Sequence, residues 1–210
     1  MRLIGVLGGT FDPIHIGHLR LAIEMLDQAG LAEVRLVPNG IPNHRKKAVG
    51  SDELRLAMLA EVASPPNLVV DAREIERGGV SYMVDTLASL KHDYPQDSLC
   101  LILGMDAYTQ LPTWDRWRQL FELSHILVAT RPGSEPALDK VLADATENRI
   151  ISRSEELGLA EKGKILFIDI PLLDISASDI RRRRKAGLSI NHLVTADVEK
   201  IIEQHRLYIN

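Results

Sequence analysis

His15 and His18 stand three residues apart, directly downstream of Gly8, Gly9 and Thr10, in the stretch RLIGVLGGTFDPIHIGHLR from Arg2 to Arg20. Residues of these types in this order suit a phosphate. Glycines let an anion come close to the backbone, and a helix start offers about four unpaired amides with roughly half a positive charge. Imidazoles there add donors, and their spacing lets both rings face one side. The pattern is neither the dinucleotide G-x-G-x-x-G nor a Walker loop, since no Gly-Lys-Ser/Thr follows. Zinc on a His-x-x-His pair would need about four ligands. The single Cys100 and the scattered remaining histidines provide no evident set, so no protein-held metal is expected.

Other residues could act on the same kind of ligand. Arg181 falls near the start of a helix that Ser176 or Ser178 can cap, where an arginine opposes the helix dipole, so an anion accounts for it better than structure does. Arg182 to Lys185 read as a solvated face. Arg45 lies with His44, Lys46 and Lys47 in the loop NGIPNHRKKAVG, either a solvated surface or, after a strand neighbouring the first, a partner for polyphosphate. Gly104 and Asp106 follow the most apolar strand, where an aspartate suits ribose hydroxyls or a helix start. Tyr82 and Thr86 share one side of a helix, which alone signals little. Trp114 and Trp117 fall on one helical face, where core packing is the default. A ring beside a ligand loop could instead stack on a heteroaromatic base, with a cation–π gain of about 0.5 to 2 kcal/mol for a pyridinium.

These residues need a frame that brings them together. Leu3, Ile4, Val6 and Leu7 form a buried strand closed by glycines, and from Gly17 the positions Leu19, Ala22, Ile23 and Leu26 recur at helical spacing. Further strands are expected at Glu33 to Pro38, Leu68 to Asp71, Ser98 to Leu103, His125 to Thr130 and, last, Lys164 to Ile170. Helices are expected from Ser51 to a stop at Pro65-Pro66, from Ser81 as N-cap with Val84, Leu87 and Leu90 inward, over Pro136 to Ile151, after Ser176, and over Thr195 to His205. Glu74 to Gly79 and Arg131 to Ser134 read as turns. This alternation predicts an α/β, doubly wound, mostly parallel sheet covered on both faces, with a helical C-terminal portion from about residue 176. Ligands then belong at the strands' carboxyl ends, where every residue named above falls.

The bulk of the chain is ordinary: 210 residues, 45% hydrophobic and 26% charged, enough for one domain with a sizeable core. A net charge of −4 gives no general reason for nucleic-acid binding, so a small partner is expected. Cys100, in the apolar run SLCLIL, reads as core, permits no intramolecular disulfide and fits a reducing cytoplasm. The opening apolar stretch is too short for a signal core, and no run approaches the ~20 residues that span a bilayer.

GGTFDPIHIGH closely resembles the signature of the nucleotidylyltransferase superfamily, with His15-Ile16-Gly17-His18 as its H-x-G-H element and Thr10 to Asp12 and Ile14 before it. Together with Ser81-Tyr-Met-Val-Asp-Thr-Leu87, Gly104-Met-Asp106, Leu111-Pro-Thr-Trp114 and Ile175-Ser-Ala-Ser-Asp-Ile-Arg181, essentially the whole chain resembles bacterial nicotinate-nucleotide adenylyltransferases. The resemblance implies a Rossmann-like nucleotidylyltransferase fold and AMP transfer from ATP to nicotinate mononucleotide, giving deamido-NAD and pyrophosphate in NAD biosynthesis. It implies Mg²⁺ as cofactor, held through the ATP phosphates. His15, His18 and Arg181 would be catalytic. ATP would be bound by them with Gly8, Gly9, Thr10, Phe11, Arg45, Ser176 and Ser178, and its ribose by Gly104 and Asp106. Nicotinate mononucleotide would meet Asp12, Tyr82, Thr86 and Trp114, with Thr86 and the backbone near Trp114 at the carboxylate and Trp114, or in its place Trp117, stacked on the pyridine. Two departures keep hydroxyl and cation: Ala177-Ser178 where the family often has Ser-Thr, and Pro42-Asn43-His44-Arg45 where it often has Pro-Pro-His-Lys or -Arg.

A general base is not needed, because the attacking phosphate is mostly dianionic with a second pKa of about 6. The alternatives are an adenylyltransferase for nicotinamide mononucleotide or phosphopantetheine, and a nucleotide sensor without turnover. The Trp114 and Ser81 to Leu87 segments speak against phosphopantetheine, and intact His15, His18 and Arg181 against the sensor. The partners expected are ATP and nicotinate mononucleotide, with no nucleic acid and no membrane, and a homo-oligomer is compatible with the sequence.

Overall fold

Apolar side chains in a strand alternate between faces, and a strand buried on both must be apolar on both. In the computed structural model, which describes residues 1–42, 48–64, 67–131, 138–171 and 173–209, this is how the central strands are filled. β1 (Leu3–Gly9) sends Ile4 and Val6 to one face and Leu7 to the other, and β6 (Ser98–Gly104) sends Leu99, Leu101 and Leu103 one way and Cys100 and Ile102 the other. With β2 (Glu33–Pro38), β4 (Leu68–Val70), β7 (Ser124–Thr130), β8 (Ile150–Ile151) and β9 (Ile165–Asp169) they form a seven-stranded sheet in the order β4-β2-β1-β6-β7-β9-β8. Every neighbouring pair is parallel. β3 (Ile41–Pro42) and β5 (Val80–Ser81) pair separately.

α1 (Ile16–Gln28), α2 (Asp52–Ala60), α7 (Ala177–Lys185) and α8 (Ala196–Gln204) cover one face through Met25, Met58, Ile180 and Ile202. α4 (Met83–Asp93), α5 (Met105–Thr109) and α6 (Lys140–Thr146) cover the other through Leu87, Tyr108 and Leu142. The chain winds outward from β1 through β2 to β4, then returns to place β6 on the other side of β1. The carboxyl ends of β1 and β6 are therefore the switch point, where such sheets take their ligands. Among the described residues no helix is long and apolar enough to cross a membrane.

Four local expectations are corrected. Glu74 to Gly79 is not wholly a turn: α3 (Arg73–Arg77) occupies most of it, and only Gly78 and Gly79, at φ +68° and +72°, turn. Ser81 does not cap α4, because its hydroxyl accepts from the Gly40 amide at 2.9 Å and its backbone lies in β5; Tyr82 takes the N-cap position. Among its described residues the segment to Ile151 is α-helical over α6, where Asp139 accepts from the Leu142 amide at 2.8 Å, then makes a 3₁₀ turn at Glu147–Arg149 and adds the edge strand β8. The tryptophans do not share a helix. Two 3₁₀ turns, Leu111–Thr113 and Trp117–Glu122, are separated by Arg116 at φ +47°, which ends any helical register between them. Arg45 and its neighbours His44, Lys46 and Lys47, with Pro65-Pro66 and the turn after Arg131, lie outside the described residues.

Candidate active site

A cleft of about 340 Å³ opens over the ends of β1 and β6, lined by Gly8, Gly9, Thr10 and Gly104. His18 reaches it from the first turn of α1. His15 is the N-cap of that helix and only 6% exposed, stacked behind His18 with ring centroids 3.7 Å apart and planes at 27°. The His15 backbone N–H donates to His18 Nδ1 at 3.3 Å, so the ring proton sits on Nε2 as a donor for the cleft. Gly17 makes this packing possible, since a Cβ there would lie 3.1 Å from His15 Nδ1. It would also lie 3.5 Å from the Ile175 carbonyl, so α7 begins against the start of α1 and two positive helix ends adjoin.

Burial holds His15 down to about 4; it also holds His18 down to about 3, with the neighbouring His15 adding to the effect. Both rings are neutral at neutral pH. His125, likewise buried and bonded to the Ala160 carbonyl and the Lys164 amide, is held to about 4, chiefly by burial. The unfolded chain, with histidines near 6.5, binds more protons than the native one between these values. Stability from these groups is therefore full above about pH 6.5 and declines as the pH falls towards 4. Unfolding near pH 5 should take up between two and three protons on their account, and His125→Gln should reduce the slope of unfolding free energy against pH by about one proton. An unchanged slope would contradict the buried-neutral state.

Arg181 donates through Nη1 to the Asp12 carbonyl at 2.6 Å and through Nη2 to Ser178 Oγ at 3.3 Å, while Ser176 caps α7 by accepting from the Asp179 amide at 3.1 Å. The structure thus gathers Gly8, Gly9, Thr10, His15, His18, Arg181, Ser176 and Ser178 around two helix starts. Asp106 stands exposed in the first turn of α5, between Gly104 and Ala107, which line the cleft. Phe11 does not face the cleft: it is 1% exposed and packed edge-on to His18 at 5.0 Å.

At the other end of the cleft are Tyr82 and Trp114, whereas Trp117 is core, packed edge-on to Phe121 at 5.9 Å. Thr86 was expected here and is instead fully buried behind the wall. Its hydroxyl donates to Glu74 Oε1 at 2.5 Å and accepts from Arg77 Nη2 at 3.2 Å, because α3 folds over α4. Glu74 lines the cleft in its place, its carboxyl pushed above the usual range chiefly by burial. Asp12 also turns away from the cleft, 2% exposed and bonded to the Val49 and Gly50 amides and the Tyr208 hydroxyl.

Sequence reasoning missed the group that shapes the loop. Arg55, in the middle of α2, has no exposed surface and donates to the carbonyls of Thr10 at 2.8 Å and Asn39 at 2.7 Å and to Asp52 at 2.7 Å. Asn39, at the end of β2, lines the cleft, and its amide bonds the Gly9 carbonyl at 2.9 Å. The only signal was its place, one residue past a strand adjoining β1.

The cytidylyltransferase-like family model matches residues 6–183. A relative from Aeromonas hydrophila, named "Probable nicotinate-nucleotide adenylyltransferase", is 43% identical over 206 residues, covering 98% of this chain and 96% of its own. One of the same name from Halorhodospira halophila is 45% identical over 205 residues, covering 97% and 94%. Among solved structures, Plasmodium falciparum nicotinic acid mononucleotide adenylyltransferase, complexed with NaAD, matches with a TM-score of 0.75 at 18% identity over 99% of this chain and 98% of that one. That likeness supports the fold, and the sequence matches support the lineage. The chain belongs to the cytidylyltransferase-like family, among the nicotinate-nucleotide adenylyltransferases.

Proposed function

We infer that this chain transfers the adenylyl group of ATP to nicotinate mononucleotide in NAD biosynthesis, releasing pyrophosphate, as a single nucleotidylyltransferase domain. The observation that carries the reading is the neutral donor His18, aimed into a cleft at the switch point beside two helix starts and Arg181. A 5′-phosphate oxygen of the acceptor attacks the α-phosphorus in line; one P–O bond forms and the bond to the leaving pyrophosphate breaks. His18 donates to the triphosphate as charge builds, and Arg181 with the amides of α1 and α7 holds the leaving group. Gly104 and Asp106 take the adenylate ribose. Trp114 stacks on the pyridine and backbone amides after it meet the carboxylate, since the Thr86 hydroxyl proton is already given to Glu74.

Among the described residues no three His, Cys, Asp or Glu side chains gather to hold a metal. Triphosphate oxygens are the hard ligands that suit Mg²⁺, so it fits as part of the nucleotide, where it offsets charge on the phosphates. A cytoplasmic setting matches the buried free thiol of Cys100.

The test is pyrophosphate release with ATP and Mg²⁺ at matched acceptor concentrations. The nicotinate form should be strongly preferred over nicotinamide mononucleotide and phosphopantetheine, with inversion at an isotopically chiral α-phosphorus. Equal rates with the nicotinamide form would remove the carboxylate pocket, retention would remove the single displacement, and no release with any acceptor would favour a sensor.

A further inference from the structure

We propose that Tyr208 is a positioning residue of the phosphate site: its hydroxyl occupies the Asp12 carboxylate and so keeps Arg181 available for an anion. Asp12 is 2% exposed and its carboxylate accepts from the Val49 amide at 2.7 Å, the Gly50 amide at 3.0 Å and Tyr208 Oη at 2.7 Å. Arg181 Nη1 bonds the carbonyl of the same residue at 2.6 Å, yet stands only 3.9 Å from its Oδ2. A small rotation would convert that contact into a full ion pair. What prevents it is the orientation of the carboxylate: Tyr208 and Gly50 hold Oδ1 and Val49 holds Oδ2, so the group is fixed where it stands.

Tyr208 is brought there against local preference. After α8 the chain passes through Arg206 at φ +48° and Tyr208 at φ +63°, a left-handed conformation that a bulky residue keeps only where its surroundings over-determine it. The ring is 6% exposed, and the site is closed around it: a Cβ on Gly50 would lie 2.9 Å from Asp12 Oδ1 and 3.5 Å from Tyr208 Oη. Burial first, then the hydrogen bond to Asp12 and its charge, hold the phenol above its usual range, so it keeps its proton and donates. Without the hydroxyl, Oδ1 keeps only the Gly50 N–H, and the under-supplied carboxylate turns towards the nearest cation, which already stands beside Oδ2. That cation is Arg181, and charge meant for the triphosphate is spent inside the protein.

This rests on the phosphate role given to Arg181, and the test separates the two. Tyr208→Phe, which keeps the ring, should raise KM for ATP about tenfold, the effect of one hydrogen bond to a charged group, with KM for nicotinate mononucleotide changed less than about twofold. Arg181→Ala should weaken ATP more, and adding Tyr208→Phe to it should change KM for ATP by less than about twofold, because the captured group is gone. If the Phe variant melts near the assay temperature, titrating ATP against tryptophan fluorescence in the cold gives the same comparison. Unchanged ATP affinity in Tyr208→Phe, whatever its Tm, or effects that multiply in the double variant, would reduce Tyr208 to a structural residue. An Arg181→Ala variant with unimpaired ATP kinetics would overturn both roles.

Discussion

His18→Ala should lower kcat by about two to three orders of magnitude, the usual loss when one fixed donor to a developing oxyanion is removed. His18 is the one of the pair whose ring lines the cleft, and its donor atom is settled by the backbone: Nδ1 takes the His15 N–H, so Nε2–H faces outward. In the proposed role the neutral ring donates to charge that develops on the triphosphate only in the transition state, so the loss falls on kcat. KM for nicotinate mononucleotide should change little, since the end of the cleft proposed for the acceptor is lined by Tyr82 and Trp114. His18→Asn, which can still offer an N–H, should recover part of the rate. Steady-state kinetics with the folded state checked by thermal melting decides it: a kcat within about threefold of the parent would remove His18 from the chemistry.

The histidine pair was legible because everything that defines it is local. Strand, glycines and helix start follow one another within Arg2 to Arg20, and periodicity alone places the sheet's central strands. What was not legible depends on distant partners. Thr86 looked available from its own helix, but Glu74 and Arg77, on α3, claim its hydroxyl. Trp114 and Trp117 looked equivalent until Arg116, in a left-handed conformation, sent one to the cleft and the other to the core. Asp12 looked like a ligand residue in a ligand loop, and its carboxylate is bonded by Tyr208, 196 residues away. Side chains that hold a loop in place carry no local signature, because the groups they hold are backbone carbonyls.

Arg55 is the strongest case, and its removal should have the largest effect on stability. Nothing in SDELRLAM singles it out, yet it is fully buried, with Thr10, Asn39 and Asp52 as acceptors. Two of these are main-chain carbonyls just past β1 and β2, so the guanidinium ties the loop after β1 to the neighbouring strand and to α2. Asp52 is half exposed and loses little when unpaired. The two carbonyls lose their donor in a closed site, at about 1 to 3 kcal/mol each. Arg55→Met, which keeps most of the volume, should therefore lower unfolding free energy in urea by about 3 to 5 kcal/mol, a large share of the 5 to 15 kcal/mol typical of a domain. Arg55→Lys, able to reach one carbonyl but not to bridge both, should fall between Met and the parent. A Met variant within about 1 kcal/mol of the parent would mean that water replaces the guanidinium. If instead the loss is as large as expected, the order of the Lys and Met variants shows whether the bridge or merely the charge holds Thr10 beside His18.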